Sequence, residues 1–185
     1  MLIILDRDGV INQYDGNYIC SADEWQPIPG SVEAVARLCN AGHRIAIATN
    51  QSGIARGYYD TDALDDMHEK LERLVEAEGG CIDFIAYCPH HPDDHCQCRK
   101  PLTGLLDQIR RHFHLDSLEG AIMVGDSRKD LEAAYSGKCQ PILVRTGNGL
   151  DTERHLDARP IPGARVAIYN NLSEFTDALL SAEGW

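Results

Sequence analysis

Positive charge is scarce in this sequence: 17 Lys and Arg stand against 29 Asp and Glu, a formal net charge of −12. That balance argues against sequence-independent nucleic-acid binding, which draws its affinity from cations that neutralise phosphates. Long apolar runs are missing too. The opening Met1-Leu2-Ile3-Ile4-Leu5 meets Asp6-Arg7-Asp8 at once, too early for a signal-peptide core or a membrane span of about 20 residues. Repeats, linkers and low-complexity tracts are also absent. The expectation is one soluble, cytoplasmic, monomeric domain over residues 1–185, with no membrane or nucleic-acid partner.

The chain does contain short apolar runs alternating with stretches of helical period, the pattern of a parallel sheet with crossover helices. Strands are expected at Leu2 to Leu5, Arg44 to Ala48, Ile82 to Tyr87, Ala121 to Val124, Pro141 to Val144 and Arg165 to Tyr169. Ser31 is expected to cap a helix carrying Val32, Val35, Leu38 and Cys39, and Asp60 or Thr61 to start a second. Pro101 opens a third with Leu102, Leu105, Leu106, Ile109 and Phe113 on one face, and a last helix runs from Ser173 to Leu180. Thr146 to Gly163 reads as a long loop.

Polar residues gather where strands end: Asp6 and Asp8 after the first, Thr49 after the second, Asp126 with Asp130 after the fourth. In open α/β sheets the ligand crevice lies outside the carboxyl ends of the strands, so these groups converge. Each acidic pair alone would suit a helix cap or a turn. Together they repel one another unless a hard cation such as Mg²⁺ sits among them. Phosphate-ester hydrolysis needs such a site. Asp6 can attack phosphorus, and Asp8 can protonate the leaving oxygen and then activate water.

Seven cysteines are present, an odd count, and three of them fall at 88, 96 and 98 beside histidines. Cys88, Cys96, Cys98 and one of His90, His91 and His95 make a donor set for tetrahedral Zn²⁺, closed and therefore structural. Cys20, Cys39, Cys81 and Cys139 read as core or incidental, and His43, His68, His112, His114 and His155 as having no partner.

The string Leu5-Asp6-Arg7-Asp8-Gly9-Val10-Ile11-Asn12 resembles the first motif of haloacid dehalogenase phosphatases. Thr49-Asn50-Gln51-Ser52, Arg99-Lys100-Pro101 and Gly125-Asp126-Ser127-Arg128-Lys129-Asp130 are similar to the second, third and fourth, in the family's order. The resemblance implies a Rossmann-like α/β fold without a large cap domain, with a zinc-binding loop. It makes Asp6 the nucleophile, Asp8 the acid/base, Thr49 and Lys100 the phosphoryl binders, and Asp126 the Mg²⁺ ligand beside Asp6 and Asp8. The run Thr49 to Tyr59, with Cys-Pro-His followed by Cys-x-Cys-Arg-Lys-Pro, is similar within that family to phosphatases of heptose 1,7-bisphosphate, which serve lipopolysaccharide precursor synthesis. This subgroup implies a phosphorylated sugar as substrate, His90 as the zinc histidine, and substrate contacts from Arg99, Asn50, Gln51, Ser52, Asp15, Gly16 and Tyr18. Arg56 is a further cation expected to reach the crevice. Leu102-Thr103-Gly104 departs from the subgroup's pattern. A histidinol-phosphate phosphatase and a non-catalytic module for a phosphorylated ligand are the alternatives.

Overall fold

The run Leu2-Ile3-Ile4-Leu5 is buried at every position, as a strand covered on both faces requires, and it forms the central strand β1 (Leu2–Leu5). The computed structural model describes residues 1–184. Around β1 lie β2 (Arg44–Asn50), β3 (Phe84–Cys88), β4 (Ile122–Gly125), β5 (Gln140–Val144) and β6 (Ala167–Tyr169), in the order β3-β2-β1-β4-β5-β6. All neighbours pair in parallel. The helices are α1 (Ser31–Asn40), α2 (Thr61–Ala77), α3 (Gly104–His112), α4 (Arg128–Ser136), α5 (Gly149–Ala158) and α6 (Leu172–Glu183).

Alternation along the strands divides the core in two. Ile3, Leu5, Ile45 and Ile47 face one layer with Leu38 of α1, Leu64 of α2 and Phe175 of α6. Leu2, Ile4, Ala46 and Ala48 face the other with Leu105 and Ile109 of α3 and Ala133 of α4. Strand order reverses at β1, which pairs with β2 on one side and β4 on the other. The crevice opens beyond the carboxyl ends of β1 and β4, and no inserted domain covers it among the described residues.

The structure departs from the sequence reading in four places. Ser31 is not the cap of α1; Gly30 takes that position at φ 83°, and the Ser31 hydroxyl donates to the Ile11 carbonyl at 2.6 Å, tying the post-β1 loop down. The third helix starts at Gly104 rather than Pro101, because residues 99–102 form a turn in which Leu102 N donates to Arg99 O at 2.9 Å. The fourth motif continues into α4, a helix beyond those expected from the sequence. Within the expected loop 146–163 lies α5, whose buried residues are only Gly149 and Thr152; a helix with so small a buried face carries little apolar periodicity. Asp60 does cap α2, accepting from Ala63 N at 2.9 Å.

Candidate active site

β1 ends in Asp6, whose Oδ1 accepts from Arg7 N at 2.8 Å and from Lys100 Nζ at 2.9 Å. Lys100 is fully buried and also donates to Ala48 O at 2.7 Å, and its ammonium lies 2.7 Å from Asp130 Oδ1. Asn50 clamps the Lys100 backbone from both sides, accepting from its N at 3.0 Å and donating to its O at 3.1 Å. Asn50 thus holds the lysine in place and also lines the cavity.

Carboxylate oxygens of Asp6, Asp126 and Asp130 lie within 4.8 Å of one another. Burial first, then the Asp130 charge, pushes the Asp6 carboxyl up to about 7; burial, Asp130 and Asp6 push Asp126 well above the usual range. Three carboxylates against one lysine leave a deficit of positive charge that a hard divalent cation satisfies, so the donor set fits Mg²⁺. Both Asp130 oxygens are engaged: Oδ1 by Lys100, Oδ2 by Asp126 N, Ser127 N and the Ser127 hydroxyl. Asp130 thereby closes a capping box at the start of α4 and fixes Asp126 against Lys100. Asn148 N donates to Asp126 Oδ2 at 2.8 Å and Thr152 to Asp126 O, so the start of α5 is part of the site. A Cβ on Gly9 or Gly147 would collide with Asp126 Oδ2, which is why both are glycine.

The carboxylate of Asp8, placed with the Mg²⁺ ligands by the sequence resemblance, stands outside this group. Its Oδ1 accepts from Arg7 Nε, Arg7 Nη2 and Asn12, and its Oδ2 from Gln51. Burial alone would raise Asp8, but the Arg7 guanidinium and these hydrogen bonds more than offset it and hold the carboxyl below the ordinary range. Gln51 also donates to Thr49 Oγ1 at 2.9 Å and is gripped in turn by the Tyr59 hydroxyl.

Arg7 is buried, and its Nη1 faces His68 Nε2 at 3.3 Å. A guanidinium can only donate, so Nε2 accepts and His68 is neutral. Burial, then the Arg7 charge, brings the His68 pKa down to about 3. An unfolded histidine takes its proton near pH 6.5, so the folded state loses stability as pH falls from about 6.5 toward 3, by up to about 1.4 kcal/mol per pH unit from this residue. His68→Gln, which keeps an acceptor for Arg7, should flatten the decline in urea-unfolding free energy between pH 6.5 and 4. An unchanged slope would refute the assignment.

The cavity, about 360 Å³, is lined by Gly16, Tyr18, Asn50, Gln51, Ser52 and Arg99 among the expected substrate residues. Asp15 and Arg56 do not line it. Asp15 accepts from Asn17 N in an exposed turn, and Arg56 lies over the outer Tyr18 ring with its Cζ 5.8 Å from the centroid. The sequence reading missed Tyr14, Tyr59, Lys129 and Asn148, which line the cavity. Lys129 sits inside the fourth motif and could have been found there. Burial and the neighbouring Arg99 charge hold its pKa below the usual lysine range. Arg99 Nη1 is buried with no hydrogen-bond partner.

Beside Arg99 the thiols and imidazole of Cys88, His90, Cys96 and Cys98 gather within 4.8 Å. Cys88 Sγ lies 3.6 Å from Cys96 Sγ and 3.5 Å from His90 Nδ1, which lies 3.2 Å from Cys98 Sγ. Edges of roughly 3.3–3.8 Å follow from tetrahedral zinc at 2.0–2.3 Å from its ligands, so the donor set fits Zn²⁺. The alternatives for the histidine fall away: His91 caps the short 3-10 turn Pro92–Asp94, and His95 follows it in a left-handed conformation.

A HAD-hydrolase-like family model matches residues 97–174. The D-glycero-β-D-manno-heptose-1,7-bisphosphate 7-phosphatase of Pseudomonas aeruginosa is 52% identical over 97% of this chain and 97% of its own. The chain belongs to this family of HAD-like phosphatases. The enzyme of the same name from Pseudomonas putida is 55% identical over 97% of this chain and 99% of its own. The crystal structure of D,D-heptose 1,7-bisphosphate phosphatase from B. bronchiseptica, complexed with magnesium and phosphate, superposes with a TM-score of 0.91 at 45% identity, covering 98% of each chain. As a HAD-like phosphatase the chain is a phosphoric monoester hydrolase, and no helix of the described residues is long and apolar enough to cross a membrane.

Proposed function

We propose that this enzyme removes the 7-phosphate of D-glycero-β-D-manno-heptose 1,7-bisphosphate, leaving the 1-phosphate in place. The observation that carries the substrate reading is Arg99, which lines the same cavity as Asp6 and Lys129 and whose guanidinium keeps Nη1 without a hydrogen-bond partner. Lys100 stands against Asp6, where the phosphoryl group under attack arrives, and Arg128 is paired with Glu132, so Arg99 and Lys129 are the cations left for a second, distal phosphate. A guanidinium fork binds phosphate oxygens in pairs.

Asp6 attacks phosphorus to form an aspartyl-phosphate, with Lys100 and Thr49 holding the equatorial oxygens. Asp8 gives a proton to the departing sugar oxygen and takes one from the water that hydrolyses the intermediate. Its carboxyl is an unwilling acid beside Arg7, but an arriving phosphate dianion opposes that guanidinium and raises its proton affinity. The carboxylates of Asp6 and Asp126 would hold Mg²⁺, which would supply positive charge to shield the nucleophile from that of the phosphate. Zn²⁺ on Cys88, His90, Cys96 and Cys98 is structural and braces the segment that carries Arg99 and Lys100.

The heptose bisphosphate should show kcat/KM at least about a hundredfold above that of histidinol phosphate, whose ammonium the distal cations repel, a difference of roughly 3 kcal/mol. Arg99→Ala and Lys129→Ala should each shrink that ratio mainly through the bisphosphate. Comparable values for the two substrates in the unmutated enzyme would remove the heptose assignment.

A further inference from the structure

Two thiols that the phosphatase site does not use lie side by side on the opposite end of the sheet. Cys39, in the last turn of α1, and Cys81, after the glycine pair that ends α2, have their sulfurs 2.6 Å apart at the surface. The chain is shaped to bring them there. Gly79 adopts φ 80°, and a Cβ on Gly80 would press into the Ala36 backbone of α1 at 2.5 Å, so only glycine lets this segment run so close to α1. Gly80 N, donating to Val75 O at 3.0 Å, then turns the strand-entry residue Cys81 toward Cys39. Three other cysteines form the zinc set, Cys139 is buried, and no second thiol is hydrogen-bonded to Cys20 among the described residues.

We propose that Cys39 and Cys81 form a reversible disulfide that staples α1 to the segment leading into β3. With a low-molecular-weight disulfide as oxidant, the thiolate of one cysteine attacks a sulfur of the oxidant and expels one small thiolate. The second cysteine then attacks the resulting mixed disulfide at the protein sulfur and releases the other. The pair loses two electrons and two protons, and the oxidant is reduced to two thiols. Its hydrogen bond to Cys39, then burial, pushes the Cys81 thiol up to about 11, so attack by Cys81 quickens as pH rises above neutrality. The closed loop spans β2, which carries Thr49 at its end, and α2, and closing it restricts the unfolded chain. The active site lies at the other ends of the strands, so the staple changes stability and leaves turnover alone.

The test uses the zinc-loaded enzyme equilibrated with glutathione disulfide at pH 8, followed by alkylation and peptide mass mapping. The expected result is one Cys39–Cys81 cross-linked peptide, reversed by dithiothreitol, with Tm raised by about 5 °C or more and kcat unchanged. Cys81→Ser should give no cross-link and no rise in Tm, leaving Cys39 carrying at most a single glutathione. A cross-link joining other cysteines, both thiols remaining alkylatable after equilibration, or a cross-link that leaves Tm unmoved would overturn the proposal.

Discussion

Asp6→Asn abolishes turnover while leaving the protein folded, and in Mg²⁺-free buffer the variant unfolds at a Tm equal to or above that of the parent. An amide cannot attack phosphorus, so loss on the order of a thousandfold or more is expected. The stability result has a separate cause. The Asp6 carboxyl is pushed up to about 7 by burial and by Asp130, so its charge is unfavourable in the metal-free fold and a neutral amide relieves it. Asp8→Asn should behave oppositely in stability. It also loses turnover, for want of the acid/base, but it leaves the buried Arg7 guanidinium without its carboxylate, at a cost of up to about 3–5 kcal/mol. Phosphate release and thermal unfolding on both variants decide between the roles. Appreciable turnover by Asp6→Asn would sink the nucleophile assignment, and equal Tm for Asp8→Asn and the parent would sink the Arg7 ion pair as a structural feature.

Stripping the zinc should unfold the enzyme rather than merely inactivate it. A closed site of three thiolates and one imidazole can contribute on the order of 10 kcal/mol of folding free energy, comparable with the whole stability of an ordinary domain at about 5–15 kcal/mol. Cys98→Ser should lower Tm sharply, and because Cys98 directly precedes Arg99 and Lys100 it should also cost activity in saturating Mg²⁺. Mild EDTA, by contrast, should remove Mg²⁺ and activity while about one zinc per chain and the Tm remain. The measurements are metal content, Tm and phosphate release on the same samples. Zinc loss without a fall in Tm would contradict the structural role, and turnover in fully Mg²⁺-depleted enzyme would contradict the catalytic one.

The amino-acid sequence alone was sufficient for the sheet, for the residues that end its central strands and for the metal-suited grouping at 88–98. These are local facts: an apolar run followed by Asp6-Arg7-Asp8 puts carboxylates at a strand end whatever packs around it, and residues within eleven positions can meet without help from the rest of the chain. Partnerships across the fold were decided only by tertiary packing. Asp130 looked like one more acid beside Asp126, until Lys100 and the backbone of Ser127 took both its oxygens. The Asp8 carboxylate is held apart from the Asp6 and Asp126 carboxylates by Arg7, buried beside it, with His68 from α2 as the neutral acceptor that lets a guanidinium stay there. Arg56 turned outward onto Tyr18 while Lys129 turned in. Cys39 and Cys81 met across the α1 and α2 ends because Gly80 allowed it. Period and motif report which face of an element is apolar and where a strand stops. The direction of a long polar side chain, and the charge it meets, depend on which distant elements the core has brought alongside.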